Sequence, residues 1–201
     1  MRLVISTATA ACSVALLDGT AIVAEAHDVV GRGHAEKLVP MIAVLPGKGR
    51  ADDILVDCGP GSFTGVRVGL AAARALALAW NVPLAGFSTM ALIAAGFADD
   101  GADEIGVAIH GGHGELFVQR FARDPLAVAD ALVSLTPEAA ARHLATPLVI
   151  GSGAEALVGA RGSGMARDAP PRAADARLLP PALASLPPSP IYGRAPDAMI
   201  R

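Results

Sequence analysis

The chain has 201 residues, 53% of them apolar and 17% charged, which is enough to bury a substantial core in one large or two small domains and excludes disorder for most of its length. A net charge of -3, only two lysines (Lys37 and Lys48), no Lys/Arg run and 3% aromatics argue against independent nucleic-acid binding, which needs clustered positive charge and stacking surfaces. Cys12 and Cys58, in a chain that opens straight into an apolar strand, predict reduced, buried thiols in a cytoplasmic protein. Arg67 and Arg74 interrupt the apolar stretch 66–80, so no uncharged membrane span is expected.

Leu3-Val4-Ile5 reads as a short buried strand, followed by the small, hydroxyl-rich turn Ser6 to Ala11 and a second strand over Ser13–Leu17. Asp18-Gly19 is a hairpin signal, and Ala21–Glu25 is the returning strand, so the chain opens as an antiparallel meander. Leu38, Met41, Ile42 and Leu45 have helical spacing within His34–Leu45, where Pro40 predicts a kink or a late start. Ile54-Leu55-Val56 is a fourth strand, and Val66–Trp80 a helix ended by Asn81 and Pro83. Leu84-Ala85-Gly86 is a fifth strand, and Ser88 or Thr89 caps a third helix reaching about Phe97.

The order β-β-β-α-β-α-β-α predicts a mixed sheet with helices on both faces, because strands after crossover helices run parallel to their neighbours. This is the topology of ribonuclease-H-like folds, as in the actin-like ATPases. The polar stretch 98–103 is the predicted boundary between an N-terminal lobe (1–98) and a smaller C-terminal lobe (104–201). In the second lobe, Ile105–Ile109 and Leu116–Phe121 flank the hairpin His110-Gly111-Gly112-His113-Gly114. A strand over Ala131–Leu135, a helix capped by Thr136 and running to about Ala145, and the strand Leu148–Ile150 follow. After Gly159 the density of Pro and Gly predicts extended coil, with one short helix at most.

The most informative stretch is Cys58-Gly59-Pro60-Gly61-Ser62-Phe63-Thr64-Gly65, between a strand and a helix. Its glycines permit close approach of a phosphate, with Gly59, Gly61, Ser62, Thr64 and Gly65 as candidate anion contacts at a helix N-terminus, or they serve only a tight turn. Three named motifs fail: no Lys and hydroxyl follow Gly65 as in a P-loop, the third Gly is one place late for a dinucleotide fingerprint, and Ser62 lacks the glycines of a nucleophile elbow. His110, His113 and Glu115 can be read as a metal cluster or as a solvated Gly-rich turn. Arg67 and Arg74, seven apart, either meet acids on a partner or solvate their helix face.

Several segments, in order, resemble the TsaB family: Ile5–Leu16, His34–Ile42, Gly59–Gly69, Pro83–Thr89, and more weakly Gly114-Glu115 and Ile191–Ala198. The resemblance implies a non-catalytic member of the actin-like ATPase group that binds no cofactor. Its implied partners are a catalytic TsaD-like subunit, which makes N6-threonylcarbamoyladenosine at position 37 of tRNA from an adenylate supplied by a TsaC-type enzyme, and a TsaE-like ATPase; tRNA is contacted only indirectly. It implies a heterodimer face on the helices His34–Leu45 and Val66–Trp80, with His34, Leu38, Met41, Arg67, Leu70, Ala73 and Arg74 as interface candidates, and a homodimer through a similar surface when alone. The catalytic relative holds a metal with two histidines one turn apart; here His34 has Leu38 at i+4, so a ligand is missing. Family acids at the first-strand turn and second hairpin are replaced by Ser6 and His110, which speaks against magnesium-nucleotide chemistry. The rival readings are a nucleotide-binding phosphotransferase or ATPase of the same fold, and a peptidase. A deep cleft between the lobes is not expected.

Overall fold

The computed structural model describes residues 1–97 and 102–193. Most of the predicted boundary stretch 98–103, and the weak family match at Arg194–Ala198, lie outside the described residues.

The first sheet is built by β1 (Arg2–Ser6), β2 (Ala11–Asp18), β3 (Ala21–Val29), β4 (Asp53–Asp57) and β5 (Leu84–Phe87), in the order β3-β2-β1-β4-β5. β1 pairs antiparallel with β2, Ile5 facing Val14, and parallel with β4, Val4 facing Leu55. The meander and the parallel additions are as the sequence predicts. The hairpin loop is Gly19-Thr20 rather than Asp18-Gly19, since Asp18 still pairs with Ala21; Gly19 takes the positive φ (57°) that the turn needs. β3 also runs four residues past Glu25.

Alternation along the strands sends side chains to two different cores. Leu3, Ile5, Ile54 and Val56 face α1 (His34–Ala43) and α2 (Phe63–Trp80), where Leu38, Ile42, Leu70 and Ala73 meet them. Val4, Ala15, Leu17 and Leu55 face the opposite way, onto α3 (Thr89–Gly96). α3 is buried from Thr89 to Ala94, as its all-round apolar sequence requires, because it lies between the first sheet and a second.

The second sheet contains β6 (Glu104–His110), β7 (Leu116–Arg123), β8 (Leu126–Val128), β9 (Val133–Leu135), β10 (Leu148–Ile150) and β11 (Met165–Arg167). Its order is β11-β10-β6-β7-β8, with β9 also on β7. Its far face is covered by α4 (Pro137–His143) and α5 (Ala154–Arg161) through Ala140, Leu144, Ala154 and Leu157. The molecule is therefore layered helix, sheet, helix, sheet, helix. Ile105, Val107 and Phe121 of the second sheet share one core with Val4 and Leu55 of the first. This is the mixed-sheet architecture of the actin-like fold.

Three expectations are corrected. α1 runs unbroken from His34 through Pro40, with Leu38 and Ile42 buried on either side of the proline. α2 begins at Phe63, three residues early, because Ser62 is its N-cap and accepts a hydrogen bond from the Gly65 N–H (3.2 Å). The chain after Gly159 is not loose coil. It completes α5, adds β11, and makes helical turns at Ala173–Leu178 and Pro181–Leu183.

Ala173, Ala174 and Ala176 are buried against α3 and the first sheet, and the Ala173 N–H donates to Ser13 Oγ (2.9 Å). Farther on, Leu186 exchanges backbone hydrogen bonds with Gly86 (2.7 and 2.9 Å), covering the β5 edge, and the Ile191 N–H donates to the Cys58 carbonyl (2.8 Å). Prolines there cost no ladder bonds, having no N–H to satisfy.

Two contacts set the position of α2. A Cβ on Gly61 would lie 2.0 Å from the Ala8 carbonyl oxygen, and one on Gly65 2.1 Å from that of Thr7. Gly65→Ala should lower unfolding free energy in urea by about 3 kcal/mol, since backbone must move to admit the methyl. Gly112→Ala, which meets open space, should stay within about 0.5 kcal/mol.

Candidate functional site

The Gly-rich turn closes onto the turn between β1 and β2. The Ser62 N–H donates to the Ala8 carbonyl (2.6 Å), and Thr7 Oγ1 donates to the Gly65 carbonyl (2.7 Å). A Cβ on Gly69 would meet that same Thr7 hydroxyl at 2.5 Å. Gly61 and Gly65 thus admit another stretch of this chain's own backbone. Gly59 (φ 91°) turns between Val66 and the Ile191 carbonyl. Of the predicted anion contacts, Ser62 and Thr64 are exposed, but the Ser62 hydroxyl and N–H and the Gly65 N–H are already engaged internally.

Beneath this turn lies a residue that sequence reasoning missed. Asp57, at the end of β4, is 1% exposed. It accepts hydrogen bonds from Ser6 Oγ (2.7 Å), Thr89 Oγ1 (2.6 Å) and the Gly59 N–H (2.9 Å). It therefore ties together β1, β4, the Gly-rich turn and the start of α3. Burial pushes its carboxyl up to about 6; the hydrogen bonds from Thr89, Gly59 and Ser6 oppose that shift but do not cancel it. The available signal was an Asp ending an apolar strand directly before glycines.

A cleft of about 680 Å³ opens between the two sheets beside the turn. This corrects the expectation that no deep cleft exists: the C-terminal segment 168–171 forms part of its wall instead of leaving the second sheet uncovered. Gly61, Ser62 and Phe63 line one side, and His110, Gly111 and Ser152 the other. Among the described residues neither Lys nor Arg lines it, so phosphates would meet no fixed countercharge from these residues.

His110 is exposed at this cleft, whereas the Glu115 carboxylate accepts a bond from Ser134 (2.7 Å). Among the described residues, no group of three or more His, Cys, Asp or Glu is placed to hold a metal. Both cysteines are free and buried, and burial pushes both thiols up to about 11.

The interface candidates divide by helix face. His34, Leu38, Leu70 and Ala73 point inward, at 6%, 1%, 2% and 0% exposure, and His34 Nε2 lies 3.3 Å from the Ala11 carbonyl. These four fill the protein's own core and offer a partner no area. Met41 is half-buried, and Arg67 and Arg74 are exposed. The outward face of α2 is instead Phe63, Arg67, Ala71, Arg74, Ala75 and Leu78, beside Val39 and Val44 of the α1 region. By length and mean hydropathy (1.2), α2 could cross a membrane, but its apolar side chains are divided between this face and the core.

Folding raises the Asp57 pKa from the ordinary 3.8 to about 6, so between those values the folded protein holds a proton that the unfolded chain has released. The stabilisation is complete below about pH 3.8 and is lost as pH rises to about 6. Relative to Asp57→Asn, which cannot titrate, the wild type should lose about 3 kcal/mol across that window, measured by denaturant unfolding at each pH. Asp57→Ala should cost about 3 kcal/mol at pH 5, because it leaves three buried donors unpaired.

The model of a family described as TsaD, tRNA N6-adenosine threonylcarbamoyltransferase, matches residues 26–135. The Escherichia coli tRNA threonylcarbamoyladenosine biosynthesis protein TsaB is 38% identical over 130 residues, 61% of this chain and 55% of that protein. The Haemophilus influenzae protein of the same name is 34% identical over 131 residues, 61% and 54% of the two chains. The matched region thus spans about half the length of these curated relatives. Over the whole fold, the crystal structure of a Pseudomonas aeruginosa protein with similarity to the peptidase YeaZ superposes with a TM-score of 0.78 at 28% identity, covering 96% of this chain and 99% of the other. The chain belongs to the TsaD-type family of that model and, within it, to the TsaB family.

Proposed function

We propose that this protein is a non-catalytic subunit for making N6-threonylcarbamoyladenosine at position 37 of tRNA in the cytoplasm. It pairs through α1 and α2 with a TsaD-type threonylcarbamoyltransferase, joins a TsaE-type ATPase in the same assembly, and forms homodimers when alone. The observation that carries this reading is the outward face of the two helices. Val39, Val44 and Leu78 are 62%, 77% and 85% exposed, and the small residues Ala71 and Ala75 are exposed with Leu78 on α2. A low, apolar helix face lets another helix approach closely and loses water-exposed apolar area when covered.

The cleft supports the same reading. The one buried carboxylate near the Gly-rich turn is held by three neutral donors, and the positions where the family resemblance implies acids hold Ser6 and His110. Ser62, Ser152, His110 and Asp168 all line the cleft, but Ser62 Oγ accepts from the Gly65 N–H (3.2 Å) and Ser152 Oγ from the His110 backbone N–H (3.2 Å), not from an imidazole, which gives the peptidase reading no support.

Ala75→Glu and Leu78→Glu should each weaken the complex with the TsaD-type protein of the same organism at least tenfold, read by light scattering after size exclusion and by titration. Their unfolding midpoints should stay within a few degrees of wild type. Ala73→Glu, at a position with no exposure, should instead unfold the protein. Only the volume of the cleft, about 680 Å³, speaks for the second reading, a nucleotide-binding protein. Calorimetry with magnesium ATP should show no binding tighter than millimolar; micromolar binding would replace the scaffold reading.

A further inference from the structure

We infer that the C-terminal segment Leu186–Tyr192 is the second half of the partner surface, fastened to α2 by Arg67 and Arg74; this rests on the partner-subunit reading above. Positions 63, 67, 71, 74 and 78 of α2 are spaced four, four, three and four apart and form one exposed stripe. Both arginines of the stripe reach sideways to the same segment of this chain. Arg67 Nη2 donates to Tyr192 Oη (2.6 Å) and Nη1 to the Phe63 carbonyl (3.1 Å), while its guanidinium lies 3.3 Å from the Phe63 ring centre. Arg74 Nη2 donates to the Pro188 carbonyl (2.6 Å).

The segment is also fixed from below. Leu186 is paired with Gly86, and the Ile191 N–H is bonded to the Cys58 carbonyl. Pro187, Pro188 and Pro190 limit its backbone freedom, so little ordering entropy remains to be lost when a partner covers it.

What this arrangement presents outward is a cluster of Phe63 (67% exposed), Arg67 and Tyr192 (57% exposed), continuous with Ala71, Ala75 and Leu78. Tyr and Arg anchors with a large aromatic surface are the side chains that carry most of the energy in protein interfaces. Arg67 and Arg74 direct N–H groups to neutral oxygens of this chain while their guanidinium charges stay exposed. Arg67 and Arg74 are thus positioning residues for the aromatic end of the interface.

The test uses the full chain and the TsaD-type protein of the same organism. Tyr192→Phe removes only the hydroxyl that Arg67 holds, and should weaken the complex about fivefold by titration, with an unchanged unfolding midpoint. Arg67→Ala and Arg74→Ala should weaken it tenfold or more. Tyr192 is the only tyrosine in the chain, so fluorotyrosine gives a single 19F resonance. That resonance should shift and lose its solvent isotope effect when the partner is added.

No complex with the wild type would overturn the partner-subunit reading itself. A wild-type complex that leaves the 19F signal unmoved, or one in which Tyr192→Phe and Arg74→Ala bind as wild type, would overturn the inference alone. A loss on Arg67→Ala with none on Tyr192→Phe would assign Arg67 to the partner directly and overturn it as well.

Discussion

The structure depends on a backbone-to-backbone contact. The carbonyls of Thr7 and Ala8 lie 2.1 and 2.0 Å from where the Cβ atoms of residues 65 and 61 would be, distances that no side chain tolerates. Only glycine allows the start of α2 to lie on the turn after β1. Because α2 is eighteen residues long and leaves the turn as a rigid rod, this contact also sets which of its faces meets the sheet and which faces outward. A phosphate-binding turn uses its glycines to bring backbone N–H groups up to a ligand. Here the donors of Ser62 and Gly65 are used within the chain, and carbonyl oxygens occupy the space that the glycines clear.

Asp57 reinforces the contact from inside. A carboxylate with no cation beside it is costly to bury, and its raised pKa shows that three hydrogen bonds do not repay the desolvation in full. The cost is tolerated because one side chain joins four segments by hydrogen bonds. Ser6 has a definite part in this. An acid at position 6 would set a second negative charge against Asp57, whereas the Ser6 hydroxyl donates to it. A hydroxyl at position 6 and a buried acid on β4 are therefore physically linked.

The order of strands and helices in the first sheet was legible because apolar runs such as Leu3–Ile5 and Ile54–Val56 are bounded by clear turns. The family was legible in Gly59–Gly69 for the same steric reason that makes those glycines indispensable. The faces of α2 were not. Leu70 and Ala73 point inward while Ala71, Ala75 and Leu78 point outward, and a helix of small apolar residues gives no polar stripe to tell them apart. The segment after Gly159 misled for a related reason: Ala173, Ala174 and Ala176 fill a narrow space under α3, and neither alanine nor proline carries a periodic signal. Asp57 was hidden because what satisfies a buried acid here is mostly distant in sequence: donors at positions 6 and 89, with only Gly59 close by.

The two faces of α2 are subject to the same constraint. Inward, small side chains let the helix lie close to β1 and β4; outward, they leave a low surface that another helix can approach just as closely. A helix shaped this way on both sides gains little by keeping its outer face in water, since Leu78 exposes apolar area there. Among the described residues, a cleft with no Lys or Arg in its lining and a helix pair with an exposed apolar face point to the same division of labour. The Gly-rich turn is closed by backbone and by a carboxylate turned inward, and the exposed faces of α1 and α2 lie on the opposite side of the sheet from α3.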